Sequence, residues 1–339
     1  MAASPDPAGT DAIAALAQSV ITGERRALAR AITLVESTRT DDRTRAERLI
    51  EALLPSTGGS IRLGISGAPG VGKSSFIEAF GLYLVRQGLK VAVLAVDPSS
   101  EISRGSILGD KTRMPELSRN PSAFIRPSPT SGALGGVARR TREAVHVVEA
   151  AGFDVVMVET VGVGQSETDV ADLTDMFLLL LAPGGGDELQ GLKKGIVELA
   201  HALIVNKADG DLKAAAERAA ADYKGALGIL GSQGDGRWRP EVLLCSAREE
   251  AGLAEIWQMI GRYRKTIGPA QLALRRADQA KRWMWREVED GLLAAFKTDP
   301  AVNHRIAALE AEVARGTMSP AAAAGELLGI FRGGGKSQR

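Results

Sequence analysis

Residues 67–74 form a glycine-rich stretch that ends in a lysine and a serine. Their sequence, Gly-Ala-Pro-Gly-Val-Gly-Lys-Ser, fits the pattern G-x-x-x-x-G-K-[ST]. In a loop of this kind, small residues let consecutive backbone N–H groups surround phosphate oxygens. Lys73 can reach the β- and γ-phosphates, and the Ser74 hydroxyl can bind Mg²⁺. The predicted phosphate-binding residues are Gly67, Ala68, Pro69, Gly70, Val71, Gly72, Lys73, Ser74 and Ser75.

A second motif, Asn-Lys-Ala-Asp at residues 206–209, can identify the base of a nucleotide. The Asp209 carboxylate can accept from N1 and the exocyclic amine of guanine, a pairing that adenine cannot offer. A wrong base would leave this carboxylate unpaired, which costs roughly 1–3 kcal/mol. A Ser-Ala turn after the last predicted strand lies where a second guanine contact would fall. The predicted guanine-binding residues are Asn206, Lys207, Asp209, Ser246 and Ala247. Both motifs together predict a protein that binds GTP and GDP.

Three carboxylates between these motifs are candidates for binding the metal ion and positioning water. Asp97 follows a strand-like run, and the ligands of open α/β sheets bind at the carboxyl ends of strands. Glu159 heads the sequence Glu-Thr-Val-Gly, where GTPases usually carry D-x-x-G. Its extra methylene lets the carboxylate reach farther toward a metal-bound or attacking water. Asp110 lies in a stretch without clear periodicity. Each carboxylate could instead cap a helix or face solvent.

Two glycine-dense segments, residues 161–167 and 182–194, also carry charged side chains. Segments that the γ-phosphate orders and hydrolysis releases are the usual switches of GTPases. We therefore predict that both segments act as switches. Lys193 and Lys194 could contact the nucleotide or a partner, or they could be ordinary solvated charges on a helix.

These motifs need a sheet that brings their strands to one edge. The strand-like runs are continuously apolar rather than alternating, which is typical of a parallel sheet covered on both faces. A helix over residues 75–86 would add the partial positive charge of its N-terminus to the phosphate-binding loop. The sequence therefore predicts an α/β fold with a doubly wound, mostly parallel sheet. The predicted strands are residues 61–65, 91–96, 154–159, 176–182, 202–206 and 241–246.

Helical periodicity flanks this core on both sides. Residues 11–54 read as two or three helices that end at a cluster of helix breakers, and the chain after residue 253 reads as helix again. We predict an N-terminal helical extension over 1–57, a P-loop GTPase domain over 58–267 and a C-terminal helical extension over 268–339. Trp257, Trp283 and Trp285 lie in the last helical part, where they could form an interface or pack against the core.

Composition narrows the class of protein. The 42 basic and 41 acidic residues give a net charge of +1, so nothing suggests bulk attraction to nucleic acid. The single cysteine, Cys245, excludes a disulfide framework and fits a reducing compartment. No apolar run has membrane-spanning length, and no secretory signal is evident. We expect a cytoplasmic protein with neither nucleic acid nor a membrane as partner.

The motifs together resemble those of the MeaB/ArgK-type GTPases, a family that includes the human methylmalonic aciduria type A protein. The resemblance covers most of residues 15–330, and the glutamate-headed switch and the proline- and glycine-rich third switch carry it most specifically. It implies a metallochaperone GTPase that docks on an adenosylcobalamin-dependent acyl-CoA mutase, usually methylmalonyl-CoA mutase. Such a protein gates cofactor loading and protects the mutase from inactivation. The resemblance also implies a homodimer formed through the C-terminal helices.

The resemblance assigns roles to the candidate side chains. Ser74, Asp97, Asp110 and Glu159 would surround Mg²⁺, and Lys73, Asp97 and Glu159 would serve catalysis. We expect slow attack of water on the γ-phosphate that the partner accelerates.

Two alternatives belong to other classes. One is a P-loop kinase or transport ATPase, against which the base motif argues. The other is a nickel-delivery GTPase, which would need a metal-binding cluster that Cys245, His146, His201 and His304 do not form by their spacing.

Overall fold

The computed structural model describes residues 7–96, 114–127, 134–160, 166–184, 194–230 and 238–334. Its described part contains a sheet of seven parallel strands in the order β3-β2-β4-β1-β5-β6-β7. The predicted doubly wound parallel sheet is therefore confirmed. The strands are β1 (Ile61–Gly67), β2 (Val91–Val96), β3 (Ala123–Pro127), β4 (Val155–Thr160), β5 (Met176–Leu181), β6 (Ala202–Val205) and β7 (Glu241–Leu244). Strand β3 was not among the predicted strands.

Helices of the first part of the chain cover both faces of this sheet. The helices are α1 (Pro7–Ile21), α2 (Arg25–Glu36), α3 (Thr40–Leu53), α4 (Lys73–Arg86), α5 (Pro115–Arg119), α6 (Leu134–Ala150), α7 (Ser166–Leu173), α8 (Lys194–Leu199), α9 (Lys213–Leu230), α10 (Leu253–Thr298), α11 (Pro300–Ala314) and α12 (Pro320–Gly334). None of the helices in these described ranges has the length and apolar content needed to cross a membrane.

Two apolar clusters, one on each face, explain why the strands lack alternation. Phe177 and Leu179 of β5 join the cluster that includes residues of α1, α2, α3 and α6. Met176 and Leu178 of the same strand join the cluster formed with α4 and the first part of α10. Because successive side chains of a strand point to opposite faces, both faces must be apolar when both are covered.

The N-terminal helices are fastened to both ends of the edge strand β3. At its start, the Arg25 guanidinium donates to the carbonyl oxygen of Ala123 at 2.8 Å and to that of Pro121 at 3.2 Å. At its end, Arg126 forms an ion pair with the buried Glu36 at 2.5 Å. Burial raises the pKa of the Glu36 carboxyl, and Arg126 opposes that rise. The N-terminal extension is thus part of the same compact body as the sheet.

Helix α10 contains a break at Gly268, whose φ of 76° and ψ of 159° are not helical, and Pro269 follows it. The chain divides into two compact units, Met1–Arg276 and Ala277–Arg339. The predicted start of the C-terminal extension, residue 268, lies at this break. The division of the chain into an N-terminal extension, a GTPase domain and a C-terminal extension stays a prediction. Within the second unit, Phe296 and Phe331 pack with ring centroids 5.5 Å apart.

The three tryptophans of the helical part differ in environment. Trp257 packs against Phe80 with ring centroids 6.4 Å apart, so it belongs to the core of the first unit. Trp283 is only 4% exposed, and the Arg286 guanidinium lies 4.8 Å from its ring centroid. Trp285 is 61% exposed. Packing against the core therefore fits Trp257, whereas the exposure of Trp285 fits an interface.

Candidate functional site

The predicted site residues that the structure describes meet at the carboxyl edge of the sheet. The phosphate-binding loop (residues 67–74) joins β1 to α4, and β4, which carries Glu159, lies directly beside β1. The sequence order of the strands reverses at β1, because β4 lies on one side of it and β5 on the other. Ligands of open parallel sheets bind at such a reversal. The fold therefore brings the motifs to the position where such ligands bind.

Lys73 closes the phosphate-binding loop on itself. Its Nζ donates to the carbonyl oxygen of Gly67 at 2.7 Å and to that of Ala68 at 3.2 Å, and the residue is 8% exposed. The loop thus holds a buried positive charge at the N-terminus of α4, where the helix dipole also favours an anion. The outer residues of the loop region, Pro69, Gly70 and Ser75, are exposed.

The base-reading motif (residues 206–209) is bonded directly to the phosphate-binding loop. The amide Nδ2 of Asn206 donates to the carbonyl oxygen of Val71 at 3.0 Å, and Lys207 Nζ donates to that of Gly70 at 2.7 Å. The approach is close at Gly72, where φ is 91° and an added Cβ would lie 2.8 Å from Asn206 Nδ2. A glycine is therefore required there for both conformation and space.

The carboxylate of Asp209 is held by the turn that the sequence singled out as a second guanine contact. Ser246 Oγ donates to Asp209 Oδ2 at 2.5 Å and accepts from the backbone N–H of Glu249 at 3.0 Å. Ala247, the next residue, is half-buried and packs against the core. The two guanine-binding segments predicted from sequence thus lie side by side.

Two side chains whose oxygen atoms could bind the predicted metal ion lie close together. Ser74 Oγ donates to Glu159 Oε1 at 3.4 Å, and Glu159 is 6% exposed. Hydroxyl and carboxylate oxygens are the ligands that Mg²⁺ prefers, so this pair fits the ion. Beside it, the Thr160 hydroxyl donates to that of Ser66 at 2.9 Å, a buried contact that no motif predicted.

Several predicted functional residues lie outside the described residues: Asp97, Asp110, residues 161–165 and residues 185–193, which include Lys193. The backbone of Lys194 begins α8, and its side chain is likewise outside the description. The last residue of β2, Val96, pairs with Thr160 of β4, so the described part of β2 ends at the carboxyl edge of the sheet.

Cysteine and histidine do not build a metal site in the described ranges, where no group of three or more His, Cys, Asp or Glu side chains could hold a metal ion. Burial raises the pKa of the Cys245 thiol to about 12, with Glu255 adding to the rise. Burial also lowers the pKa of His201 to about 3, with Arg275 adding to the decrease. Cys245 is therefore a protonated thiol and His201 a neutral imidazole, and both are buried inside the first unit.

Comparison with known proteins gives consistent results. A family model described as "Methylmalonyl Co-A mutase-associated GTPase MeaB" matches residues 28–301. A putative GTPase of Caulobacter vibrioides is 56% identical over 320 residues, which cover 94% of this chain and 98% of that protein. The mouse "Methylmalonic aciduria type A homolog, mitochondrial" is 47% identical over 327 residues, covering 92% and 78%. A solved structure described as an "LAO/AO transport system kinase" is 37% identical with a TM-score of 0.76, covering 97% and 100%.

Proposed function

This chain belongs to the family of the methylmalonyl-CoA mutase-associated GTPase MeaB and is a GTPase, and we propose that it is the chaperone of an adenosylcobalamin-dependent acyl-CoA mutase. The family resemblance predicted from the motifs is confirmed by these matches. The family description names methylmalonyl-CoA mutase, which makes that enzyme the best-supported partner. In this proposal the chain docks on the mutase, gates the loading of its cofactor and protects it from inactivation.

The observation that carries the choice of nucleotide is the direct link between the two motifs. Asn206 and Lys207 hold the backbone of the phosphate-binding loop, so the segment that carries Asp209 is fixed relative to that loop. A carboxylate at that place accepts from guanine and leaves adenine without a partner. This geometry supports GTP over ATP, although one solved relative is named as a kinase.

Hydrolysis follows from the positions of the charged side chains. The phosphate-binding loop surrounds the phosphates with N–H groups, and Lys73 stabilises negative charge that develops on the γ-phosphate. Glu159 accepts from the water molecule and orients it for in-line attack, and Asp97 assists in this step. Ser74, Glu159, Asp97 and Asp110 would hold Mg²⁺, which neutralises charge on the β- and γ-phosphates when bound.

The response to a partner rests on the two glycine-dense segments, residues 161–167 and 182–194. In the proposal, docking of the mutase completes the catalytic arrangement, so that hydrolysis is slow in the free protein and fast in the complex. Lys193 and Lys194 contact the nucleotide or the mutase. The proposal does not involve nucleic acid or a membrane, and it assigns the protein to the cytoplasm.

An exposed apolar face on α10 supports self-association. Met284, Trp285, Val288 and Leu292 are 54%, 61%, 41% and 58% exposed, and their spacing places them along one side of the helix. A contiguous apolar face of this kind marks a protein interface. We assign it to a second copy of this chain, which gives a homodimer through the C-terminal extension.

The test is GTP hydrolysis by the purified protein, with ATP as the control nucleotide, in the absence and presence of the apo form of an adenosylcobalamin-dependent acyl-CoA mutase from the same source. GTP-selective turnover that rises with the mutase is the expected result. GTP-selective turnover that no such mutase changes would contradict the chaperone proposal. Preference for ATP would contradict the assignment of Asp209.

A further inference from the structure

Four buried charged side chains form a network at the amino edge of the sheet, opposite the nucleotide site. Arg62 is the second residue of β1, Asp175 precedes β5, Glu149 lies near the end of α6, and Arg276 lies on α10 in the first unit. Their side chains are 11%, 1%, 0% and 16% exposed, respectively. The hydrolysis mechanism uses none of these four residues.

Arg276 makes contacts that no other side chain type could reproduce. Its Nε and Nη2 donate to the two carboxylate oxygens of Asp175 at 2.8 and 2.6 Å. Its Nη1 donates to the carbonyl oxygen of Gly58 at 2.7 Å, and Nη2 also donates to that of Ser60 at 2.7 Å. A lysine presents a single point charge instead of this planar fork. Arg276 therefore joins α10 to β5 and to the linker before β1.

The second half of the network joins the same linker to α6. The Arg62 side chain donates to both carboxylate oxygens of Glu149, at 2.8 and 2.7 Å. Glu149 also accepts from the backbone N–H of Gly58 at 3.0 Å and from the Ser60 hydroxyl at 2.5 Å. Burial alone would raise the pKa of Glu149, but the charge and hydrogen bonds of Arg62, together with the hydrogen bonds from Ser60 and Gly58, lower it. The backbone N–H of Arg62 donates to Asp175 Oδ2 at 2.8 Å, which connects the two halves.

Such a network is weak evidence for stability, because apolar side chains of similar size would avoid the cost of burying four charges. Its distinctive property is geometric. It fixes the amino ends of β1 and β5, which pair from Leu63 with Met176 to Gly67 with Leu180. At the carboxyl ends, an added Cβ on Gly67 would lie 2.5 Å from the Leu180 carbonyl oxygen, so the two strands have no room to shift there.

We propose that Arg276 is a positioning residue for the nucleotide site. By holding Asp175, it sets the position of β1 relative to β5, and β1 leads straight into the phosphate-binding loop. From Arg62 to Gly67 is five residues, roughly 16 Å along a strand that is buried throughout. A displacement at the amino edge therefore reaches the loop through a rigid, packed element. This inference rests on the GTPase activity and is independent of the mutase partnership.

The first test compares two conservative substitutions on α10. Arg276→Lys keeps the charge and loses the fork, whereas Arg262→Lys changes an arginine whose ion pair with Glu241 is exposed on the surface. We expect kcat/KM for GTP in the absence of any partner to fall about tenfold in Arg276→Lys, at a temperature well below its Tm, and to be unchanged in Arg262→Lys. A lowered Tm with parental kcat and KM would show that Arg276 stabilises the fold without positioning the nucleotide site, and would overturn the proposal.

The second test needs no substitution, because coupling between two sites is reciprocal. If the network changes the affinity for nucleotide, a bound nucleotide must in turn change the stability of the network. We expect GDP to slow hydrogen exchange of the N–H groups of Gly58 and Arg62, which donate to carboxylates of the network. The control is the N–H of Lys90, which donates to Asp154 at the same edge outside the network. Equal protection of all three by GDP would overturn the proposal.

Discussion

Ser246 donates its hydroxyl proton to Asp209 at 2.5 Å while its oxygen accepts from the N–H of Glu249. The Asp209 carboxylate, which we propose selects the base, is therefore oriented by a side chain that is itself held by the backbone. A recognition group with a fixed orientation loses little conformational freedom when the base binds. The turn at Ser246 thus supports selectivity through the position of Asp209.

Replacing Asp209 should change the base that the protein prefers. Asp209→Asn presents an amide to guanine N1 and its amine, so we expect GTP affinity to fall by roughly 1–3 kcal/mol and affinity for xanthosine triphosphate to rise. Asp211→Asn, at an exposed position of the following turn, is the matched control. Equilibrium binding of both nucleotides measures the change. Unaltered GTP affinity in Asp209→Asn would refute the assignment.

A methyl group at position 72 should separate the two motifs. The added Cβ of Gly72→Ala would lie 2.8 Å from Asn206 Nδ2, at a φ of 91°, so the loop must shift away from the base-reading motif. We expect GTP affinity to decrease at least tenfold. Gly88→Ala has a comparable φ of 83° with no atom within 4 Å, so it controls for backbone strain alone. Equal affinities in the two variants would contradict the prediction.

Removing the charge of Glu159 should impair hydrolysis more than binding. Glu159→Gln keeps the shape but weakens the acceptor that orients water, and we expect single-turnover hydrolysis to slow by about 10²-fold or more. GTP affinity should change only a few-fold, because the loop and the base contacts persist. Glu47→Gln, in an exposed ion pair with Arg43, is the control. Parental hydrolysis rates in Glu159→Gln would exclude its catalytic role.

Stability should decline on mild acidification because of His201. Burial lowers its pKa to about 3 from the ordinary 6.5, so the unfolded chain binds this proton at a higher pH than the folded chain does. Below about pH 6.5 the free energy of unfolding should fall by about 1.4 kcal/mol per pH unit from this group. Urea unfolding at several pH values measures the slope. His201→Gln should reduce it, and His304→Gln, at an exposed position, should not.

A charge on the exposed face of α10 should prevent self-association. Trp285 is 61% exposed, and Trp285→Lys would place a charge at the centre of the proposed interface. We expect a dimer in the parent and a monomer in the variant by analytical ultracentrifugation. Leu212→Lys adds the same charge at an exposed apolar position of the first unit and should leave the dimer intact. A dimeric Trp285→Lys variant would place the interface elsewhere.

The sequence predicted most of the sheet because buried parallel strands are continuous apolar runs. Strand β3 was not predicted because it is short, and because Pro121 shortly before it and Pro127 at its end suggest interruption of a strand. The position of β3 in the sheet explains why prolines can occur there. β3 is an edge strand, where one row of N–H groups needs no partner in the sheet and proline is tolerated.

Candidate nucleotide-binding residues could be named from the sequence because each motif is compact and each residue type has a defined chemical role, and their binding of nucleotide stays a prediction. The network of buried charges at the amino edge could not be predicted from the sequence. Arg276 and Gly58, for example, are 218 residues apart, and their contact joins a side chain to a backbone carbonyl. Such contacts leave no periodicity or spacing, so only the packed fold reveals them.

The fastening of α2 along β3 has a consequence for truncation. Leu28 and Ile32 lie in the same apolar cluster as Phe124 and Val148, so the N-terminal helices cover apolar side chains on one face of the sheet. A shortened protein beginning at residue 58 would expose these side chains to water, and a large exposed apolar patch promotes aggregation. The first helices therefore keep this face of the sheet from associating with other molecules.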